Sequence, residues 1–192
     1  MRTDEALMQD VASGSTEAFE EIVRRYRQMA IGIAYNLLKN SSRAEEIAQE
    51  AFLKILRNAE DYKVTASFKT YLTRVVTRIC YDFTEKNKPL SFDKTAGSPN
   101  TRPSRSPLDE TLDRERRQLL RHALNNLPNR QRTAIVLQSL EDFTYEEIAD
   151  VMETTKKAVE RLLSRAREKL SGELDEQLIE DVIQKQPDGS EA

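Results

Sequence analysis

The chain has no tryptophan, one cysteine and one histidine among its 192 residues. Cys80 has no partner for an internal disulfide, which favours a reducing compartment. Hydrolytic, redox and metal chemistry draw on clustered His, Cys and carboxylate groups. One of each of the first two cannot supply such a cluster. His122, between Arg121 and Ala123, reads as an exposed or half-buried helix residue, and Cys80 as a small core residue. Glycine-rich phosphate loops are missing too. The expectation is a protein that is not an enzyme, with no cofactor and no metal. Five glycines and six prolines are too few for a turn-rich β fold. Aromatics make up 6% of the chain, so its cores must be built mainly from Leu, Ile, Val and Ala. No apolar run approaches the ~20 residues of a membrane span. The opening MRTDEALMQD lacks the apolar stretch of a secretory signal. A cytoplasmic protein without a membrane span is expected. The net charge of −3 argues against simple coating of nucleic acid, but the charge is segregated, and local patches steer binding more than the sum does.

The richest segment is residues 144–170, TYEEIADVMETTKKAVERLLSRAREKL. Thr144 and Glu147 form a T-x-x-E capping box, which starts a helix at Tyr145. Ile148, Ala149 and Met152 fall on one face of it. Thr155 is a good N-cap for a second helix. Val159, Leu162, Leu163, Ala166 and Leu170 give that helix an apolar stripe. Lys156, Lys157, Arg161, Arg165, Arg167 and Lys169 lie largely outside it. A short helix, a turn and a basic second helix make a helix-turn-helix, whose second helix fits the major groove of DNA. An ordinary solvated helical hairpin is the plainer alternative.

The rest of the chain predicts an all-α fold of two small helical domains joined by a flexible linker. Helices are expected at about 4–12, Thr16–Leu38, after Asn40-Ser41-Ser42 to about Asn58, and about Ser67–Lys86, with a loop at Ala59–Ala66. The third of these should bury Ala44, Ile47, Ala48, Ala51, Phe52, Ile55 and Leu56. Residues 88–107 hold four of the six prolines and several Ser and Thr, which marks a linker and a domain boundary. Helices resume from about Leu108, with Leu112, Leu119, Leu120, Ala123, Leu124 and Leu127 on one face and Pro128 opening the next. The resulting domains are 1–87 and 108–174. The tail, 175–192, belongs to an acidic end that carries seven acidic residues and one basic residue from position 173 on.

Four runs, in order, carry a resemblance. GSTEAFEEIVRRYRQMAIGIAYNLL resembles the opening helix of region 2 of the bacterial sigma-70 family. RAEEIAQEAFLKIL is similar to that region's A-E-D/E-hydrophobic-x-Q-E-x-F segment. FKTYLTRVVTRICYDF is similar to its F-x-x-W-L…N…D helix, with Tyr71 for the usual Trp. ALNNLPNRQRTAIVLQSLEDFTYEEIADVM and the helix after it resemble region 4. Together they cover about residues 13–172 and point to the small two-domain extracytoplasmic-function (ECF) group. The resemblance implies a transcription initiation factor that docks on core RNA polymerase, through the β′ clamp helices and the β flap, and directs it to promoter DNA. Region 2 would open and read the −10 element, and region 4 the −35 element. An anti-sigma factor is an implied partner.

The resemblance also implies roles. Glu46, Gln49, Glu50, Leu53 and Lys54 match the polymerase-docking helix, although alone they read as a solvated face. The −10 candidates are the loop Asn58–Thr65, with Tyr62 as a platform for an unstacked base, and Lys69, Arg74, Arg78, Lys86 and Lys88. Tyr62 has the competing reading of a loop anchor. Arg78 stands where the family often has Asn, Glu85 where it often has Arg, and Arg78 and Asp82 are spaced to pair. For the −35 element the candidates are Lys156, Lys157, Glu160, Arg161, Ser164 and Arg165. Arg to guanine is the commonest specific base contact. Glu160 could accept from a cytosine amine or pair with Lys156 or Lys157. Arg167 is expected at a phosphate or on the helix surface. Arg130 and Arg132 suit backbone contacts. Glu153 occupies a turn position where many relatives have Gly, so a left-handed backbone there would be strained. The linker 88–107 threads the RNA exit path in the family; a passive tether is the plainer reading. The main rival function is a polymerase-independent helix-turn-helix regulator, which leaves residues 13–87 unexplained. A protein-interaction module is the second.

Overall fold

A computed structural model describes residues 2–64, 66–86, 119–120, 122–172 and 174. The predicted linker 88–107 and tail 175–192 lie outside them. The chain divides into two compact units, residues 1–98 and 99–192. Among the described residues the regular structure is helical throughout.

In the first unit, α1 (Asp4–Ala12), α2 (Thr16–Leu38), α3 (Ser41–Arg57) and α4 (Phe68–Lys86) follow one another. Short polar side chains start them. Thr3, Ser15 and Asn40 accept from the backbone N–H groups of Ala6, Ala18 and Arg43, and Ser67 accepts from Thr70. Each such cap is worth about 1 kcal/mol, because it satisfies an N–H with no partner inside the helix. Helix α2 packs against α1, α3 and α4. Leu7, Met8, Ile22, Ile33, Ile55, Phe68 and Leu72 are fully buried around it. Removing each such side chain from water contributes roughly 1.5–3 kcal/mol. Arg25 fixes α1 on α2: its guanidinium bonds Asp4 at 2.8 Å and Glu21 at 2.9 Å, and Tyr26 donates to the same Asp4 carboxylate.

Two sequence expectations fail here. Leu56 is 40% exposed, because it lies three residues from Leu53 and seven from Gln49, on the edge of the outward face of α3. The loop after α3 contains one 3-10 turn, Ala59–Asp61. The core also holds Thr70, Thr73 and Thr77 of α4, which the apolar pattern passed over. Cys80 is buried as expected.

In the second unit a helical segment at 122–125 leads to Pro128. Then come α5 (Asn129–Glu141), α6 (Tyr145–Val151) and α7 (Lys156–Ser171). Ile135, Leu137, Phe143, Ile148 and Leu163 are fully buried. Leu119, placed on an inner face by its spacing, is 54% exposed instead, whereas Ala123 and Leu124 are buried as expected. Arg132 spends its guanidinium on the carbonyls of Leu124, Asn125 and Leu127, at 2.9, 2.7 and 3.1 Å. It thereby caps the end of the preceding helical segment, and these bonds occupy the guanidinium that the sequence suggested for a DNA backbone contact.

Candidate nucleic-acid interface

The helix-turn-helix is built by local chemistry. The Thr144 hydroxyl accepts from the Glu147 N–H at 3.2 Å, and the Glu147 carboxylate accepts from the Thr144 N–H at 2.9 Å, which completes the expected capping box. At the other end of α6 the Thr154 N–H reaches back to the Ala149 carbonyl at 2.9 Å. That bond closes around Glu153, whose φ is +48°, the left-handed conformation anticipated at this turn. Thr155 then caps α7 through the Ala158 N–H. Val159, Leu163, Ala166 and Leu170 face inward, so the opposite face of α7 is turned to solvent.

On that outer face Lys156, Lys157, Glu160, Arg161, Ser164 and Arg165 are all exposed. Arg161 and Arg165 line a shallow groove with Arg130, Thr154, Ala158 and Leu162. Three arginine side chains beside Ala158 and Leu162, near the N-terminal end of α7, suit a phosphate-bearing ligand. Among the described residues Lys157, Arg161 and Arg165 make no ion pair. Lys156 does: its Nζ lies 2.7 Å from Glu146 on α6. This hydrogen bond raises the ammonium pKa and lowers that of the carboxyl. Glu160 forms no ion pair with Lys156 or Lys157, although its charge adds to the rise of the Lys156 pKa. No sequence periodicity signals the Glu146–Lys156 contact, which spans the turn. Arg167 is not on this surface. Half-buried, it donates to Gln138 Oε1 at 3.0 Å and to the Tyr145 hydroxyl at 3.3 Å, tying α7 to α5 and α6. The phosphate or surface role expected for it is thereby corrected.

In the first unit, Glu46, Gln49, Glu50, Leu53 and Lys54 share the exposed face of α3. Leu53 is 48% exposed, and Leu56 extends this apolar seam. Glu46 pairs with Arg43, whose guanidinium stacks 4.7 Å from the Phe83 ring centroid. Of the remaining candidates, Arg78 and Lys86 are exposed on α4, and Lys69 and Arg74 are half-buried. Arg78 and Asp82, spaced to pair, form no ion pair with each other, and Arg78 makes none among the described residues. Tyr62 packs 5.2 Å from Tyr71 and 6.4 Å from Phe68, centroid to centroid, and Phe68 lies 5.0 Å from Tyr26. Burial raises the Tyr62 phenol pKa, and its hydroxyl has no hydrogen-bond partner. This packing favours the loop anchor over the stacking platform. The apolar group that the same loop does present is Val64, 58% exposed.

A capped helix-turn-helix with a basic outer face, paired with a second helical unit that displays an acidic and apolar helix face, defines a two-domain DNA-binding transcription protein. Two family models match the chain: Sigma-70 region 2 over residues 22–89 and Sigma-70, region 4 over residues 117–170. The chain belongs to the sigma-70 family, in its ECF group. It is 27% identical to the ECF RNA polymerase sigma-E factor of Haemophilus influenzae, over 90% of this chain and 95% of that one. It is 28% identical to the ECF sigma factor SigW of Bacillus subtilis, over 87% and 94%. Among solved structures, the sigma factor RpoE of Bartonella quintana, in complex with the anti-sigma factor NepR, shares the fold. Its TM-score is 0.66 at 18% identity, covering 88% of this chain and 99% of that one. No helix among the described residues is long and apolar enough to cross a membrane.

Proposed function

We propose that this chain binds core RNA polymerase in the cytoplasm and directs it to promoters, with the first unit on the polymerase and the −10 element and α7 on the −35 element. The initiation-factor role follows from the family. The residue roles follow from the surfaces. The observation that carries the reading is the outer face of α7, where Lys157, Arg161 and Arg165, without an ion pair among the described residues, stand beside a groove shared with Arg130. Arginine and lysine there can meet guanine edges and phosphates, and Glu160 and Ser164 are placed between them to set base preference.

The α3 face from Glu46 to Lys54, with Leu53 at its centre, suits a helix-on-helix contact with an apolar core and a charged rim. It is assigned to the β′ clamp helices, and the β flap to the second unit. Arg78 and Lys86, with Lys69 and Arg74, are assigned to phosphates near the −10 element. Tyr62 holds the adjacent loop through Phe68 and Tyr71. An anti-sigma factor that covers these faces is a further proposed partner. Footprinting tests the reading against an independent regulator. Protection of a promoter fragment at two unlike elements, only when core polymerase is added, supports it. Protection of palindromic half-sites by the protein alone contradicts it.

A further inference from the structure

Lys156 opens α7, where a cation faces the positive end of the helix dipole. Glu146, in the first turn of α6, compensates: its carboxylate lies 2.7 Å from the Lys156 ammonium, across the turn of the helix-turn-helix. Both side chains are more than half exposed, at 63% and 55%, so the pair sits on the surface a duplex would approach. The neighbouring cations differ. Lys157, Arg161 and Arg165 make no ion pair among the described residues, and Arg161 and Arg165 converge with Arg130 on one groove. The fold thus neutralises one cation at the mouth of the recognition helix and presents the others.

We infer that Glu146 restrains the sequence-independent attraction of α7 for DNA, by holding Lys156 in an ion pair and withdrawing it from the phosphate contacts. The inference rests on α7 as the DNA-reading helix and adds a residue outside that helix to its control. The physical consequence is specific. Each cation that neutralises a phosphate releases counterions and steepens the fall of affinity with salt by roughly 0.9 in the log–log slope. A lysine already paired with a carboxylate contributes little to that slope. A phosphate competing for Lys156 must also approach the Glu146 charge. The gain from withdrawing such a contact is shorter residence on non-promoter duplex, which vastly outnumbers promoters.

The test measures salt-dependent binding of the holoenzyme to a promoter duplex and to an unrelated duplex. The variants are Glu146→Gln, Lys156→Gln and the double substitution. Glu146→Gln is expected to steepen the slope by about 0.9 on both duplexes and to tighten binding to the unrelated duplex several-fold. Lys156→Gln should leave the slope at the parent value, and the double variant should return to it. The proposal is overturned if Lys156→Gln alone flattens the slope by about 0.9, or if the double variant keeps the steep slope, which would mean that only the Glu146 charge matters. Lys156→Gln leaves α6 and its capping box intact, so the test stands even if Glu146→Gln weakens that short helix. Failure of the underlying reading is distinguishable: the unaltered holoenzyme would then show no preference for the promoter duplex. A normal preference with unmoved slopes overturns this proposal alone.

Discussion

Arg167 and Gln138 are partners inside the second unit: Nη2 of the arginine donates at 3.0 Å to the Oε1 of an amide that is 1% exposed. Breaking the contact strands a buried acceptor, which costs on the order of 1–3 kcal/mol. Arg167→Met is therefore expected to lower the melting temperature of the second unit. It should leave the salt dependence of DNA binding by the folded protein unchanged. An arginine serving as a phosphate contact would do the reverse, so thermal melting and a salt titration on one variant separate the two roles.

Leu53 is exposed on α3 beside Leu56, at 48% and 40%, so neither is a core residue of the unit. Replacing both with serine is expected to lower stability by only about 1–2 kcal/mol, from partial burial and helix propensity lost at two half-exposed sites. Affinity for core polymerase should fall by at least about tenfold, because apolar anchors at the centre of an interface carry most of its binding energy. Denaturant melting beside a polymerase titration checks both halves. Unchanged polymerase affinity would remove α3 from the docking surface.

Cys80 is buried, and burial pushes its thiol pKa up to about 12. The unfolded thiol ionises near 8.5. Between those values the unfolded chain has already lost the proton that the native chain keeps, so stability falls as pH rises from about 8.5 toward 12. Burial raises the Tyr26, Tyr62 and Tyr71 phenols as well, which adds to the same alkaline loss. Denaturant midpoints should be lower at pH 10.5 than at pH 7.5, and a thiol reagent should label Cys80 only as the protein unfolds. Rapid labelling of the native protein at pH 7.5 would contradict this.

Much of the architecture was legible because it is written in local chemistry. The capping box at Thr144 and Glu147, the caps at Asn40 and Thr155, and the boundaries of Thr16–Leu38 all follow from side chains acting within four residues. The left-handed turn at Glu153 was raised only through the family resemblance, where many relatives have Gly, and the backbone adopts it. What escaped depends on contacts between segments. Arg132 and Arg167 carry the same charge as Arg161, and only the fold decides that they serve carbonyls and an amide. The sequence left Tyr62 open between base platform and loop anchor, and only its packing on Phe68 and Tyr71 favours the anchor. Glu46, Gln49, Glu50, Leu53 and Lys54, proposed to meet the polymerase, would read as a solvated helix surface without the family resemblance.

Glu153 holds a φ of +48°, where a Cβ is unfavourable by about 1 kcal/mol. Glu153→Gly is expected to stabilise the second unit by about 0.5 kcal/mol, the relief being partly offset by greater freedom of the unfolded chain. Glu153→Val should destabilise it, because a β-branched residue resists this conformation more strongly. Paired thermal melts read the sign of each change. Loss of stability in the glycine variant would contradict the account of the turn.

The central claim is tested most directly by run-off transcription with purified bacterial core RNA polymerase on promoter fragments from the source genome, with and without this protein. The account predicts transcripts that start at defined positions only when the protein is present, with two common elements upstream of the start sites. These transcripts should be lost in the combined Leu53→Ser and Leu56→Ser variant. The same transcripts without the protein, or none with it under conditions where the protein alone protects DNA, would contradict the claim.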